Sequence, residues 1–134
     1  MINSVISTPG AKFMTIDIKD FYLDTPMEQF EYMKLKLSNL PEDFIKKYDL
    51  VQKFDQNGYV YVEIRNGMYR LPQAGLLAKQ LLEKRLNAKG YIQSTLVTGL
   101  WNHAWRPITF NLCVEDFGVK YVGKQHGDQL MSIL

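Results

Sequence analysis

The alternation of apolar and polar residues divides the chain into short strands and a few amphipathic helices. Lys12-Phe13-Met14-Thr15-Ile16-Asp17-Ile18 reads as a strand that becomes buried before the polar pair Lys19-Asp20. Thr25-Pro26, followed by Met27-Glu28-Gln29, carries the N-cap and first-turn proline of a short helix. Met33-Lys34-Leu35-Lys36-Leu37 alternates strictly, which predicts a half-exposed strand with its lysines in solvent. Pro41 to Tyr48 reads as a helix, because Glu42 and Asp43 sit in its first turn and Lys46 and Lys47 near its end, as the helix dipole favours. Tyr59 to Ile64 is rich in β-branched and aromatic residues and predicts a strand between the turns Asp55-Gln56-Asn57-Gly58 and Asn66-Gly67.

From Ala74 to Lys89, Leu77, Leu81, Leu82 and Leu86 recur at helical spacing, and Gly90 is placed to end that helix. Ile108, Phe110, Leu112 and Val114 then alternate with Thr109, Asn111 and Cys113. Glu115-Asp116 and the stretch Gly118 to Gly123 follow, a pattern that predicts a hairpin with adjacent carboxylates near its turn. Residues from Lys124 onward read as the start of a helix, and residues 1–11 as a loose polar lead-in. The expected architecture is a single α+β unit with an antiparallel sheet packed on helices.

Composition narrows the function less than it narrows the fold. The chain of 134 residues is 46% hydrophobic, which excludes wholesale disorder. Its 16 basic and 14 acidic residues give a net charge of +2, so charge argues neither for nor against a nucleic-acid partner. One cysteine, Cys113, excludes an internal disulfide and is expected to be a small core residue. His103 and His126 lie far apart in sequence without cysteine companions, which makes a structural zinc site a poor reading. No apolar run approaches the ~20 residues of a membrane span, and Met1 to Gly10 lacks the order of a secretory signal. The expected location is intracellular, not secreted. Tyr59, Tyr61, Trp101 and Trp105 are read as core aromatics rather than as stacking platforms for bases.

The acids carry the candidate chemistry. Asp17 interrupts an apolar run, and a carboxylate at the end of a buried strand is costly unless paired or bound to a cation. Glu115 and Asp116 are adjacent acids beside a tight turn and repel one another. Three readings stay open: solvated strand ends, neutralisation by a lysine such as Lys19 or Lys120, or a three-carboxylate pocket for Mg²⁺, which prefers oxygen ligands. A second distinctive segment is Gly67-Met68-Tyr69-Arg70-Leu71-Pro72-Gln73-Ala74-Gly75, where Gln73 falls at the first turn of the long helix among free backbone N–H groups.

Taken in order, these segments resemble the reverse transcriptases of retroelements, nearest to the Ty1/copia kind. Phe13 to Tyr22 resembles the family's first catalytic motif, a strand, an Asp and an aromatic residue five positions later. Tyr69-Arg70-Leu71-Pro72-Gln73-Ala74-Gly75 is similar to its second motif, and Cys113-Val114-Glu115-Asp116 to its aspartate-pair motif. Tyr32 to Leu35 and Pro41 to Phe44 look like the copia-type insert between the first two motifs. The likeness runs from about residue 12 to the end, so residues 12–134 are expected to form a partial palm and fingers domain.

The resemblance implies an RNA-directed DNA polymerase of a retrotransposon, a nucleotidyltransferase acting on an RNA or DNA template-primer and deoxynucleoside triphosphates. It implies Asp17, Glu115 and Asp116 as ligands of Mg²⁺ or Mn²⁺, Tyr22 as a steric gate under the sugar of the incoming nucleotide, and Gln73 as a contact to the nucleotide or template. Two ions about 3.5–4 Å apart would serve the primer hydroxyl and the leaving pyrophosphate. The expected fragment lacks the remaining fingers, the thumb and the rest of a polyprotein.

Two residues depart from that pattern. Glu115 stands where the family has Asp, and its additional methylene extends the reach by about 1.5 Å. Mg²⁺ holds its ligands near ~2.0–2.1 Å, and a misplacement of about 1 Å costs on the order of 10²-fold in rate. Severely reduced polymerisation is therefore expected. Arg70 occupies a position often held by glycine. The alternative is a non-catalytic remnant that binds nucleic acid weakly or serves as an interaction module.

Overall fold

The computed structural model describes all 134 residues. Its strands are β1 (Ala11–Asp17), β2 (Pro26–Lys36), β3 (Tyr59–Asn66), β4 (Tyr91–Gln93), β5 (Leu100–His103), β6 (Ile108–Cys113) and β7 (Asp116–Val122). Its α-helices are α1 (Ile2–Ile6), α2 (Glu42–Lys47), α3 (Pro72–Ala88) and α4 (Lys124–Met131). The α+β class is as the hydrophobic pattern predicts.

Five strands make one antiparallel sheet in the order β1-β7-β6-β5-β4. Alternation along each strand sends one set of side chains toward α3 and α4. Phe117 and Val119 of β7, Ile108 and Phe110 of β6, Trp101 of β5 and Tyr91 of β4 meet Ala78, Leu82 and Leu86 of α3 and Leu130 of α4 in one core. Met14 and Ile16 of β1 pack against its edge. The other face is largely polar, with Phe13 and Ile92 exposed on it, as an antiparallel sheet covered on one side allows. It carries Thr15 and Asp17 of β1, Asp116, Gly118 and Lys120 of β7, and Asn111 and Cys113 of β6, with α1 beside β1.

β2 and β3 form a separate two-stranded ribbon. Met33 and Leu35 turn inward while Lys34 and Lys36 are exposed, so the predicted alternation holds. The ribbon is tied to the body where Gly67 N–H donates to Thr25 O at 2.7 Å and Asn66 Nδ2 donates to Leu23 O at 2.8 Å.

Four expectations are corrected. Thr25-Pro26 does not start a helix; β2 begins at Pro26. Thr25 Oγ1 donates backward to Phe21 O at 3.0 Å rather than accepting from a following turn, and a proline without an N–H is tolerated at the first residue of a strand. The lead-in is not wholly loose, because Ile2–Ile6 form α1, held to the sheet through Lys120 Nζ bonds to Ser4 and Thr8. Cys113 is exposed, since β6 turns it to the uncovered face. Trp101 is core at 2% exposure, whereas Trp105, in the loop after β5, is 70% exposed and Tyr61 is exposed as well. The short strands β4 and β5 were not expected; each is defined by its neighbours' hydrogen bonds more than by its own pattern.

Candidate functional site

The acids meet at one end of the five-stranded sheet. Cys113 pairs with Asp116 across β6 and β7, so Val114 and Glu115 form a two-residue hairpin turn. β1 runs antiparallel to β7 with Asp17 directly opposite Asp116. Directly opposed residues of an antiparallel pair share a face, with Cβ atoms ~4.5–5.5 Å apart. Asp17 and Asp116 are thus neighbours on the outer face, although 98 positions separate them along the chain. Ile18 N–H donates to Glu115 O at 3.3 Å, which clamps the end of β1 to the turn.

Neither carboxylate takes part in the molecule's ion pairs. Lys120, a neutraliser considered from the sequence, instead donates to Ser4 Oγ at 2.6 Å and Thr8 Oγ1 at 2.8 Å. Two like charges in direct opposition repel unless a cation lies between them. Asp116 also borders an open groove of about 670 Å³ with Thr15, Asn111 and Cys113.

Glu115 is oriented differently. Its Oε2 is buried and has no hydrogen-bond partner in the protein. Burial raises the pKa of the Tyr22 hydroxyl, and the nearby Glu115 carboxylate and Tyr69 push it further the same way. Oxygen donors of this kind suit Mg²⁺, and the Asp17–Asp116 pair suits a cation held between them. No group of three or more His, Cys, Asp or Glu residues is arranged to hold a metal ion.

The turn is strained. Val114 has φ +59, a left-handed conformation that a β-branched residue adopts only when its surroundings impose it. Glu115 is not in that region, so the pair has the φ signs of a type II′ turn, whose first central position usually holds glycine. Strained backbone of this kind clusters at functional sites, and it was not visible in the alternation that predicted the hairpin.

Tyr22 lies in the turn region after β1, packed edge-on against Phe21 at 5.2 Å and Tyr69 at 4.9 Å between ring centroids. Its backbone leaves no room at Gly67, where an added Cβ would fall 2.5 Å from Tyr22 O. The first and second motif segments are therefore in contact, a proximity that sequence spacing does not reveal. Tyr22 and Val114 border a cavity of about 350 Å³ with Gly75, Trp101 and Leu112. Gln73 sits in the first turn of α3, but its Nε2 donates to Glu31 Oε1 of β2. The structure thus gathers Asp17, Asp116, Glu115 and Tyr22 around the turn, and holds Gln73 against the ribbon. No helix is long and apolar enough to cross a membrane. No protein-family model, curated protein or solved structure matches this chain.

Proposed function

We propose that the chain is a partial palm domain of a retroelement reverse transcriptase of the copia type, an RNA-directed DNA polymerase by descent with weak activity in this form. The observation that carries the reading is the register that sets Asp17 opposite Asp116 at the foot of the Val114–Glu115 turn. Three motif segments resemble that family in the correct order, and two of their three candidate ligand acids, Asp17 and Asp116, are cross-strand neighbours. In this reading Asp17 and Asp116 hold a divalent cation on the outer face, with Glu115 as the third, mispositioned acid. Bound Mg²⁺ or Mn²⁺ supplies charge stabilisation for nucleotidyl transfer. Tyr22 would form the floor under the nucleotide sugar, and its ring is fixed for that by Phe21 and Tyr69.

A metal titration followed by thermal unfolding tests the core of this reading. A cation bound only by the native state raises its stability by mass action. Mg²⁺ or Mn²⁺ is expected to raise the melting temperature of the parent, and Asp17→Asn or Asp116→Asn to abolish the rise. A melting temperature independent of both ions would sink the proposal. Activity is tested separately by primer extension on a template-primer. Glu115→Asp shortens the side chain by about 1.5 Å and is expected to raise the rate by on the order of 10²-fold; equal rates in parent and variant contradict the assigned role of Glu115.

A second reading is a non-catalytic remnant that retains the fold. The buried, partnerless Oε2 of Glu115 favours it. It predicts cation-dependent stabilisation without primer extension in either the parent or Glu115→Asp.

A further inference from the structure

The opposite end of the same sheet holds a second group of unmatched charges. Arg106, in the loop between β5 and β6, lies over the Trp105 indole with its guanidinium carbon 4.1 Å from the ring centroid. Its Nη1 donates to His126 Nδ1 at 3.1 Å, while its Nε–H is buried and finds no acceptor in the protein. Lys120, on β7, reaches only neutral oxygens, Ser4 Oγ and Thr8 Oγ1. Neither cation belongs to an ion pair. Both line a cavity of about 180 Å³ together with Thr8, Asn102, His103 and Thr109, and no acidic residue borders it.

These donors call for a polyatomic anion. They come from two directions, Arg106 from the loop and Lys120 from the sheet, because the Thr8 hydroxyl already donates to Ser4 O at 2.8 Å. Thr109 Oγ1 donates to Asn102 Oδ1 at 2.8 Å, which leaves the Asn102 amide N–H₂ as a further donor. A planar carboxylate presents its two oxygens in one plane, whereas a tetrahedral phosphate spreads its oxygens toward donors on several sides. Arginine with lysine is the usual pairing for that group, one as a fork and the other as a point charge. Trp105 adds a base platform, being 70% exposed beside the cavity and already stacked on Arg106.

We propose that this cavity binds the phosphate of a nucleotide, free or within a single strand, with Trp105 stacking on its base. The site is separate from the carboxylate turn. Lys120 lies four positions along β7 from Asp116, about 13 Å at strand rise. It needs no metal, so it does not depend on the function proposed above.

The test uses the full chain and calorimetric titration with inorganic phosphate, thymidine, thymidine 5′-monophosphate and a short 5′-phosphorylated oligothymidylate at constant ionic strength. The monophosphate is expected to bind at least about tenfold more tightly than either phosphate or thymidine alone and to quench the Trp105 fluorescence. Arg106→Gln and Lys120→Gln are each expected to weaken binding about tenfold or more, and Arg106→Lys, which keeps the charge, to weaken it less. Trp105→Leu should remove the advantage of the monophosphate over phosphate. Tighter binding of the oligonucleotide per phosphate assigns the site to a strand, and equal binding assigns it to the free nucleotide. Affinities that are the same in the parent and in the folded Arg106→Gln and Lys120→Gln variants overturn the site. A monophosphate bound no better than phosphate overturns the role of Trp105.

Discussion

Val114 at φ +59 and Arg70 at φ +72 hold left-handed backbone without being glycine. For an L-residue that conformation costs roughly 1–2 kcal/mol, and for Val114 the branched Cβ adds crowding. Both lie in motif segments: Arg70 just before α3, where the resembling family often has glycine, and Val114 in the carboxylate turn. Replacing either by glycine relieves the strain but gives the unfolded chain additional freedom worth about 0.5–1 kcal/mol. The net expectation for Val114→Gly and for Arg70→Gly is a stabilisation of about 1 kcal/mol, read from urea unfolding curves. Destabilisation in both would mean that the side chains contribute packing that outweighs the strain.

Among the elements, the β4–β5 corner has a stability that depends on pH near neutrality. His103 closes β5, its Nε2 lies 3.0 Å from Lys89 O, and its Nδ1 accepts from the Trp105 and Arg106 N–H groups at 3.2 and 3.3 Å. Partial burial lowers its pKa, opposed by the Lys89 carbonyl and reinforced by the neighbouring Arg106 and His126. A histidine whose native pKa is lowered takes up its proton at higher pH when unfolded, where the value is near ~6.5. Stability is therefore expected to fall as pH drops through that value toward the native pKa. His103→Gln should show a smaller loss of melting temperature than the parent between pH 7.5 and 5.5; an identical loss would assign the acid sensitivity to other groups. Nearby, burial pushes the Tyr91 hydroxyl up to about 12, while it donates to Gln129 Oε1 at 2.7 Å, linking β4 to α4.

At the scale of the whole molecule, the surface is larger than its size calls for. The accessible area is 9332 Å², against ~7,200 Å² expected of a folded monomer of 15.6 kDa. The excess comes from the projecting ribbon and the one-sided sheet, and it includes exposed Phe30, Tyr32 and Tyr61 on the ribbon and Leu76 and Leu81 on α3. Apolar surface of that extent favours association. Sedimentation equilibrium is expected to show concentration-dependent self-association, weakened by Tyr32→Lys and Tyr61→Lys on the exposed side of the ribbon. A strictly monomeric chain at all concentrations would show that this surface is tolerated.

The alternation along β1, β6 and β7, the leucine spacing of α3 and the acid-to-base gradient of α2 were enough to predict those elements, because each follows from short-range periodicity and local backbone preference. The same reading drew attention to Asp17, Glu115 and Asp116, since a carboxylate in or beside an apolar strand is costly wherever it lies. Thr25-Pro26 misled it, because the pair's helix-start chemistry is local while the hydrogen bond from Gly67 to Thr25 that commits it to a strand comes from another segment. Only the tertiary structure decided that Asp17 faces Asp116 while the Glu115 carboxylate sits beside Tyr22, that Trp101 is buried while Trp105 is exposed, and that Arg106 and Lys120 share one cavity. Register, face and long-range proximity depend on which strands pair, and that choice is made by burial summed over the whole core rather than by any one segment.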